Sequence, residues 1–253
     1  MTKILVTNDD GVSAPGILAL AKAMRALGDV EVIAPKLNQS ASGHKKTLFQ
    51  DIAVEETRLA DGTPAKAVSG SPADCIALAA LGVSTTWAPD IVVSGINRGA
   101  NMGQDITYSG TVTAALEAAI QGAPAVAVSL AHRTADTVAE YETAAQIAVA
   151  VVKRTLERAL PKFTILNLNV PYGSDIKGLR LTRQGVRIYR DELANEGNVW
   201  RIVGPEPTGN TDEEGTDLWA VHNGYASLTP LHLDLTAHRF IAELAAWDIM
   251  MPC

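Results

Sequence analysis

Two adjacent carboxylates, Asp9 and Asp10, directly follow the apolar run KILVT at Lys3 to Thr7. Side by side, such groups repel each other unless positive charge lies near. Within a strand, successive side chains point to opposite faces. Where the backbone turns at a strand exit, both can face one cation. Oxygen donors from Asp, Asn and Ser suit Mg2+, Mn2+ or Ca2+. No H-x-H or H-E-x-x-H zinc arrangement occurs in the sequence. On the residues alone two readings stay open. One is a divalent metal site; the other has Asp9 capping the next turn and Asp10 solvated.

Two more polar segments follow apolar runs. Asn38 to His44 (NQSASGH) comes after VEVIA at 30–34, and Gly95 to Gly103 (GINRGANMG) after DIVVS at 90–94. Ser109-Gly110-Thr111 then opens an apolar helix. A helix start exposes unpaired N–H groups that bind anions without lysine. Ordinary capping by Ser109 is the competing reading. Arg98, beside Asn97, can meet an anion or pair structurally. Asn101 and Ser42 can contact phosphate or simply stitch their loops. Tyr108 can touch a base or sugar, or pack locally. His44 can donate a proton near neutral pH or stay solvated. Lys45 and Lys46 read most simply as surface lysines. His132, His222, His232 and His238 are dispersed.

The elements that must position these groups alternate strand and helix. The spacing predicts strands at 3–7 and 30–34 around a helix from Pro15 to Leu27. A strand ends at Val68-Ser69, and Ser71-Pro72-Ala73-Asp74 is a capping box with proline in the first turn. That helix should reach about Leu81. A central strand covers Asp90 to Ser94, and a polar loop runs from Gly95 to Ser109. Then come a helix from Thr111 to Gln121, the strand AVAVSL after Pro124, and a long helix from Val138 to Leu160. TILNLNV at 164–170 reads as a strand that alternates or lies at a sheet margin. The fold class is therefore α/β: a Rossmann-like three-layer core with a mostly parallel sheet. In such sheets ligands bind at the carboxyl ends of strands, which would gather the three polar exits. After Pro171 the pattern shifts to short β-like runs, with Leu218 to Leu228 roughly alternating, and suggests hairpin arms. Leu233 to Met250 reads as a final helix docked by Leu235, Phe240, Ile241, Leu244 and Trp247. Trp200 and Trp219 read as packing or interface residues. The division expected is 1–175 for the core and 176–253 for the extension.

The 253 residues are 47% apolar and 19% charged, enough for a sizeable core without disulfides. With 28 acidic against 21 basic residues, the net charge of −7 argues against broad binding to a nucleic-acid backbone, and no duplex is expected as a partner. Cys75 reads as a buried apolar side chain and Cys253 as a loose terminal thiol. The start MTKILVTNDD meets acid too early for a secretory signal. No apolar window is long enough to span a membrane. Cytoplasmic location is the expectation. Neither G-x-G-x-x-G nor G-x-x-x-x-G-K-[ST] occurs, and neither does G-x-S-x-G. Dinucleotide, P-loop and serine-hydrolase readings therefore lose their local support.

Five segments together resemble the SurE family of 5′/3′-nucleotidases, also called survival protein E. They are ILVTNDDGVSAPGI (4–17), VIAPKLNQSASG (32–43), SGSPADC (69–75), SGINRGANMGQDITYSGTVTAALEA (94–118) and DLWAVHNGYASLTPL (217–231). They occur in the family's order over most of the chain. The resemblance implies one divalent cation per subunit, Mg2+ or Mn2+, held by Asp9, Asp10, Ser40 and Asn97. It implies hydrolysis of nucleoside 5′- and 3′-monophosphates, and homodimers or homotetramers assembled through C-terminal arms. On this reading Asp9, Asp10, Asn97 and Thr111 are catalytic. Ser42, Arg98, Asn101, Tyr108, Ser109, Gly110 and Thr111 meet the substrate or its phosphate. The loop after the strand at 30–34 departs from the family's usual pattern at Lys36, Leu37, Gln39 and Lys45-Lys46, while Ser40 stays in register. A metal-linked nucleotide-binding regulator without turnover, and a structural oligomerisation protein, are the alternative classes.

Overall fold

A computed structural model describes residues 1–85, 87–247 and 249. Cys253 and Met250 lie outside the described residues. Among those described, no helix is long and apolar enough to cross a membrane.

One nine-stranded sheet organises the molecule. Its strands in chain order are β1 (Lys3–Thr7), β2 (Asp29–Pro35), β3 (Val54–Arg58), β4 (Pro64–Val68), β5 (Ile91–Arg98), β6 (Ala125–Ala131), β7 (Thr164–Pro171), β8 (Leu179–Leu181) and, after four arm strands, β13 (Ala226–His232). They lie in the order β3-β4-β2-β1-β5-β6-β7-β13-β8. The six from β4 to β7 are mutually parallel, while β3 and β13 run antiparallel to their neighbours β4 and β7. Thus β7 is internal, not marginal. The reason is β13, a strand from late in the chain, which pairs with residues 164–169 along its outer side.

Alternation explains the layers. Ile4 and Val6 of β1, and Ile91 and Val93 of β5, face the core beneath α1 (Pro15–Met24) and α4 (Glu142–Glu157). Leu5 and Val92 face the opposite core, beneath α2 (Pro72–Leu78) and α3 (Gly110–Ile120). On the α3 side the meeting residues are small: Ala125 and Ala127 from β6, Ala114, Ala115 and Ala118 from the helix. This lets the helix lie close to the sheet. The capping box at Ser71 and Asp74 is present. α2 ends in an irregular turn over Ala79–Val83.

Several elements differ from expectation. β5 runs on to Arg98 through a bulge, with its register against β6 shifting between Ser94 and Asn97. Gly95 makes the bulge feasible. Its φ is +142°, and a Cβ there would lie 2.3 Å from the Val128 carbonyl oxygen. A short 3-10 turn, Gly103–Thr107, folds the middle of the polar loop. The long helix starts as a 3-10 turn at Val138–Tyr141 before α4 proper.

The arm strands are β9 (Arg187–Ile188), β10 (Glu192–Glu196), β11 (Val199–Val203) and β12 (Thr208–Gly209). They form the β10–β11 hairpin and the β9–β12 pair. Trp200 is exposed on that hairpin, whereas Trp219 stacks on Tyr225. Leu218 to Leu228 is not one alternating run. Thr216 caps the short helix α5 (Asp217–His222), accepting from the Trp219 N–H at 3.1 Å, and β13 starts afterwards. The last helix, α6 (His238–Ala245), is shorter than expected. Phe240, Ile241, Leu244 and Trp247 remain exposed instead of docking on the body, and Leu235 precedes the helix.

Candidate active site

β1 has β2 on one side and β5 on the other, so the chain reverses direction of travel across the sheet there. Strand exits at such a switch point diverge and leave a crevice. A cavity of about 360 Å³ occupies it, lined by Asp9, Asp10, Ser40, Asn97, Arg98, Asn101, Tyr108 and Ser109, with Ala41, Gly99, Ala100, Asp105 and Arg133. The four residues expected to hold a cation therefore share one cavity, although they come from three separate strand exits.

Hydrogen bonds fix the loops that carry them. The Gln39 N–H donates to the Asp9 carbonyl at 2.7 Å, and Val12 N–H to the Pro35 carbonyl at 2.8 Å. These bonds join the β1 and β2 exits. Asn38 Oδ1 accepts from the Ser40 N–H at 2.7 Å and shapes the turn that presents Ser40. Gly43 N–H donates to the Tyr108 carbonyl at 3.0 Å, and Thr113 Oγ1 to the Gly43 carbonyl at 2.9 Å. The loop is thereby tied to the start of α3. Asn97 Nδ2 donates to the Gly99 carbonyl at 2.8 Å. With its amide nitrogen so engaged, the Asn97 oxygen is the atom available as a ligand.

Asp9 is buried and is held by Thr111. The Thr111 N–H donates to Asp9 Oδ2 at 3.0 Å, and the Thr111 hydroxyl donates to Asp9 Oδ1. Asp10 Oδ2 accepts from the Arg98 N–H at 2.9 Å. Burial raises the Asp9 carboxyl from 3.8 to about 6; the Thr111 donors oppose the rise and neighbouring Asp10 adds to it. Burial also raises Asp10, opposed by the N–H and charge of Arg98. Burial thus disfavours the charged form of both carboxyls, and a cation beside them would offset that. That, with an all-oxygen donor set, fits a hard divalent cation.

Gly110 allows the helix start to approach this closely. A Cβ there would lie 2.7 Å from Asp9 Cβ and 3.0 Å from both Asp9 Oδ2 and Pro72 Cγ. The helix start differs from expectation in one respect. Thr111, expected to touch phosphate, is fully buried, and both of its donors go to Asp9. The Val112 N–H is taken by Ser109 Oγ at 3.1 Å. Of the Ser109-Gly110-Thr111 motif, Ser109 alone lines the cavity. Ser42 does not line it either; the turn carries its Oγ inward, where the atom is buried and unpaired.

Asn101 lines the cavity but is pinned from behind. Its N–H donates to Asn169 Oδ1 at 2.7 Å and its Nδ2 to Ser129 Oγ at 2.8 Å. Its carbonyl accepts from Asn167 and Asn169 at 2.9 and 3.0 Å. His44 and Lys46 lie at the surface, as expected, and away from the cavity. Each reaches the buried carboxylate of Glu117 at 3.1 Å. Tyr108 is largely exposed at the rim.

Sequence reasoning missed three residues. Asp105 lies within the polar loop and pairs with Arg187 Nε at 2.8 Å; Tyr189 donates its hydroxyl to the same carboxylate. Asp217, at the start of α5, accepts from Gly103 N–H at 2.9 Å and Gly185 N–H at 2.8 Å, so the extension braces the site loop. Arg133 follows β6, and the strand-exit rule extended to that strand would have found it.

Comparison with known proteins agrees with this architecture. The profile of the family described as Survival protein SurE matches residues 4–191. The protein named 5′-nucleotidase SurE of Chloroflexus aggregans is 46% identical over 97% of this chain and 98% of its own length. 5′-nucleotidase SurE 1 of Thermus thermophilus is 46% identical over 96% of each chain. The crystal structure of the SurE protein from Aquifex aeolicus superposes with a TM-score of 0.82 at 39% identity, covering 97% of this chain and 99% of that one. By sequence and by fold, this chain belongs to the SurE family.

Proposed function

We propose that the chain is a divalent-metal-dependent phosphomonoesterase that hydrolyses nucleoside 5′-monophosphates, and 3′-monophosphates, to nucleoside and phosphate. The observation that carries this reading is the convergence of Asp9, Asp10, Ser40 and Asn97 on one cavity beside Ser109 and Arg98. The name 5′-nucleotidase borne by relatives of nearly equal length supports the substrate class.

In this reading Asp9, Asp10, Ser40 and Asn97 hold Mg2+ or Mn2+, which when bound would supply Lewis-acid stabilisation of charge on the phosphoryl oxygens. Arg98 and the Ser109 hydroxyl donate to those oxygens and stabilise the transition state, where their charge redistributes. Asp10, anchored by the Arg98 N–H, accepts a hydrogen bond from the attacking water and orients it in line with the ester oxygen. The water oxygen bonds to phosphorus, the phosphorus–ester bond breaks with its electron pair on the sugar oxygen, and that oxygen takes up one proton of the water while the other stays on phosphate. Thr111 acts through Asp9 as a positioning residue. Tyr108, at the rim, offers an aromatic face to the base. The extension over 176–253 serves assembly into a homodimer or homotetramer, and the cytoplasm is the working compartment.

The test is a panel of nucleoside 5′- and 3′-monophosphates assayed for released phosphate with Mg2+, Mn2+ and chelator. Metal-dependent release that Asp9→Asn abolishes, with circular dichroism unchanged, is the expected result. Tight metal-linked nucleotide binding without turnover would replace the enzyme reading with a binding regulator.

A further inference from the structure

Arg133 lines the candidate cavity but belongs to none of the sets assigned above. Its aliphatic stem crosses Gly99: a Cβ built on that glycine would lie 3.3 Å from Arg133 Cγ. The Gly99 carbonyl is the atom that holds the Asn97 amide at 2.8 Å. The stem therefore passes beside the residue that orients Asn97. Arg133 Nε meets Glu206 Oε1 at 2.7 Å, with the two side chains 55% and 67% exposed. Glu206 lies between β11 and β12. The neighbouring Pro207 carbonyl accepts from Arg187 Nη1 at 3.3 Å, and Arg187 Nε meets Asp105 at 2.8 Å.

Charge balance shows what Arg133 is for. Three carboxylates line the cavity, Asp9, Asp10 and Asp105, against two guanidinium groups, Arg98 and Arg133. Asp105 is balanced by Arg187. Asp9 and Asp10 together match one divalent cation. A phosphate monoester is close to a dianion at neutral pH, and the groups left to face it are Arg98 and Arg133. An exposed Arg–Glu pair is held weakly. A phosphate offers the planar guanidinium paired acceptors in a geometry that matches it.

We propose that Arg133 grips the phosphoryl oxygens of the substrate, and that Glu206 is its resting counter-ion, exchanged for phosphate when substrate enters. This rests on the phosphomonoesterase reading above. Because the contact is to phosphate, it is indifferent to the base. Because Glu206 competes for the same guanidinium, removing its charge tightens binding.

The experiment compares wild type, Arg133→Gln and Glu206→Gln with AMP and with phenyl phosphate, alongside calorimetric titration of Mn2+ into each metal-free protein. Wild-type release of phosphate from AMP establishes the underlying reading; its absence removes both that reading and this one. Given turnover, Arg133→Gln should raise KM about tenfold for both substrates, with kcat and Mn2+ affinity close to wild type. Glu206→Gln should lower KM about two- to threefold. An unchanged KM in Arg133→Gln overturns the contact. A rise confined to AMP moves Arg133 to the base or sugar and overturns the phosphoryl assignment. Parallel loss of kcat and Mn2+ affinity makes Arg133 structural, and an unchanged KM in Glu206→Gln overturns the exchange.

Discussion

Thr111 donates both its backbone N–H and its hydroxyl to the two carboxylate oxygens of Asp9. The first turn of α3 therefore holds a carboxylate of the chain itself, and Thr111 reaches the cavity only through it. A carboxylate is well placed at a helix N-terminus, where the dipole favours negative charge.

Removing the hydroxyl should consequently be felt at the metal before it is felt at the substrate. Thr111→Val keeps the size and the N–H but leaves Asp9 Oδ1 without its donor. Mn2+ affinity should fall about 10- to 100-fold, the usual effect of losing a group that supports a ligand. KM for a nucleoside monophosphate at saturating metal should change little. Calorimetric Mn2+ titration beside steady-state kinetics separates the two. A raised KM with intact metal affinity would return Thr111 to direct phosphate contact.

Gly110→Ala sets local propensity against tertiary contact. In a helix interior alanine is favoured over glycine by about 1 kcal/mol. Here the new methyl would meet Asp9 Cβ at 2.7 Å and Pro72 Cγ at 3.0 Å. Overpacking of this kind costs about 1–3 kcal/mol, so urea unfolding should show a net loss of stability. Metal affinity should fall as well, because the displaced group, Asp9, is one of the proposed ligands. A variant as stable as wild type, with full metal affinity, would mean that the helix start can shift away from Asp9 freely.

Much of this site was legible because strand exits obey simple rules. β1 spans Lys3–Thr7 as its apolar run indicates. The residues after it face the same cavity as Ser40 and Asn97 because all three strands are parallel. What was not legible depends on tertiary pairing. Nothing local to Thr111 says that its donors point at Asp9. β7 looks marginal until β13 pairs with it from far along the chain. Leu218 to Leu228 misleads because α5 has only six residues, too few for a helical period to emerge. The pairing of His44 and Lys46 was hidden because Glu117, their acceptor, lies far along the chain in α3.

Asp217 joins the extension to the loop that lines the cavity and offers a test of whether that brace matters. Its carboxylate takes N–H groups from Gly103 and Gly185, as well as from Leu218 at 2.8 Å. Asp217→Ala leaves these donors buried without an acceptor. Each unsatisfied group costs about 1–3 kcal/mol, and the loop that supplies Asn101, Tyr108 and Ser109 loses its rear anchor. Thermal unfolding should fall by several degrees. Below that transition, kcat should fall while circular dichroism stays native. Unchanged kcat would show that the other ties to the extension, Arg187 and Tyr189 to Asp105, position the loop without Asp217.

Glu117 contributes to the response to acid. Burial alone would raise its carboxyl, but His44, Gln121 and Lys46 together outweigh burial and bring it from 4.5 to about 2. A carboxylate depressed in the folded state binds its proton more readily once unfolded. Its stabilisation is therefore fully present above pH 4.5 and is lost as pH falls towards about 2. Because His44 and Lys46 approach it from the surface, that stabilisation is on the order of 1–2 kcal/mol after solvent screening. Urea unfolding of wild type and Glu117→Gln should differ by this amount at neutral pH and converge as pH falls towards about 2. Curves that stay parallel over the whole range would show that the ion pairs to Glu117 contribute nothing to stability.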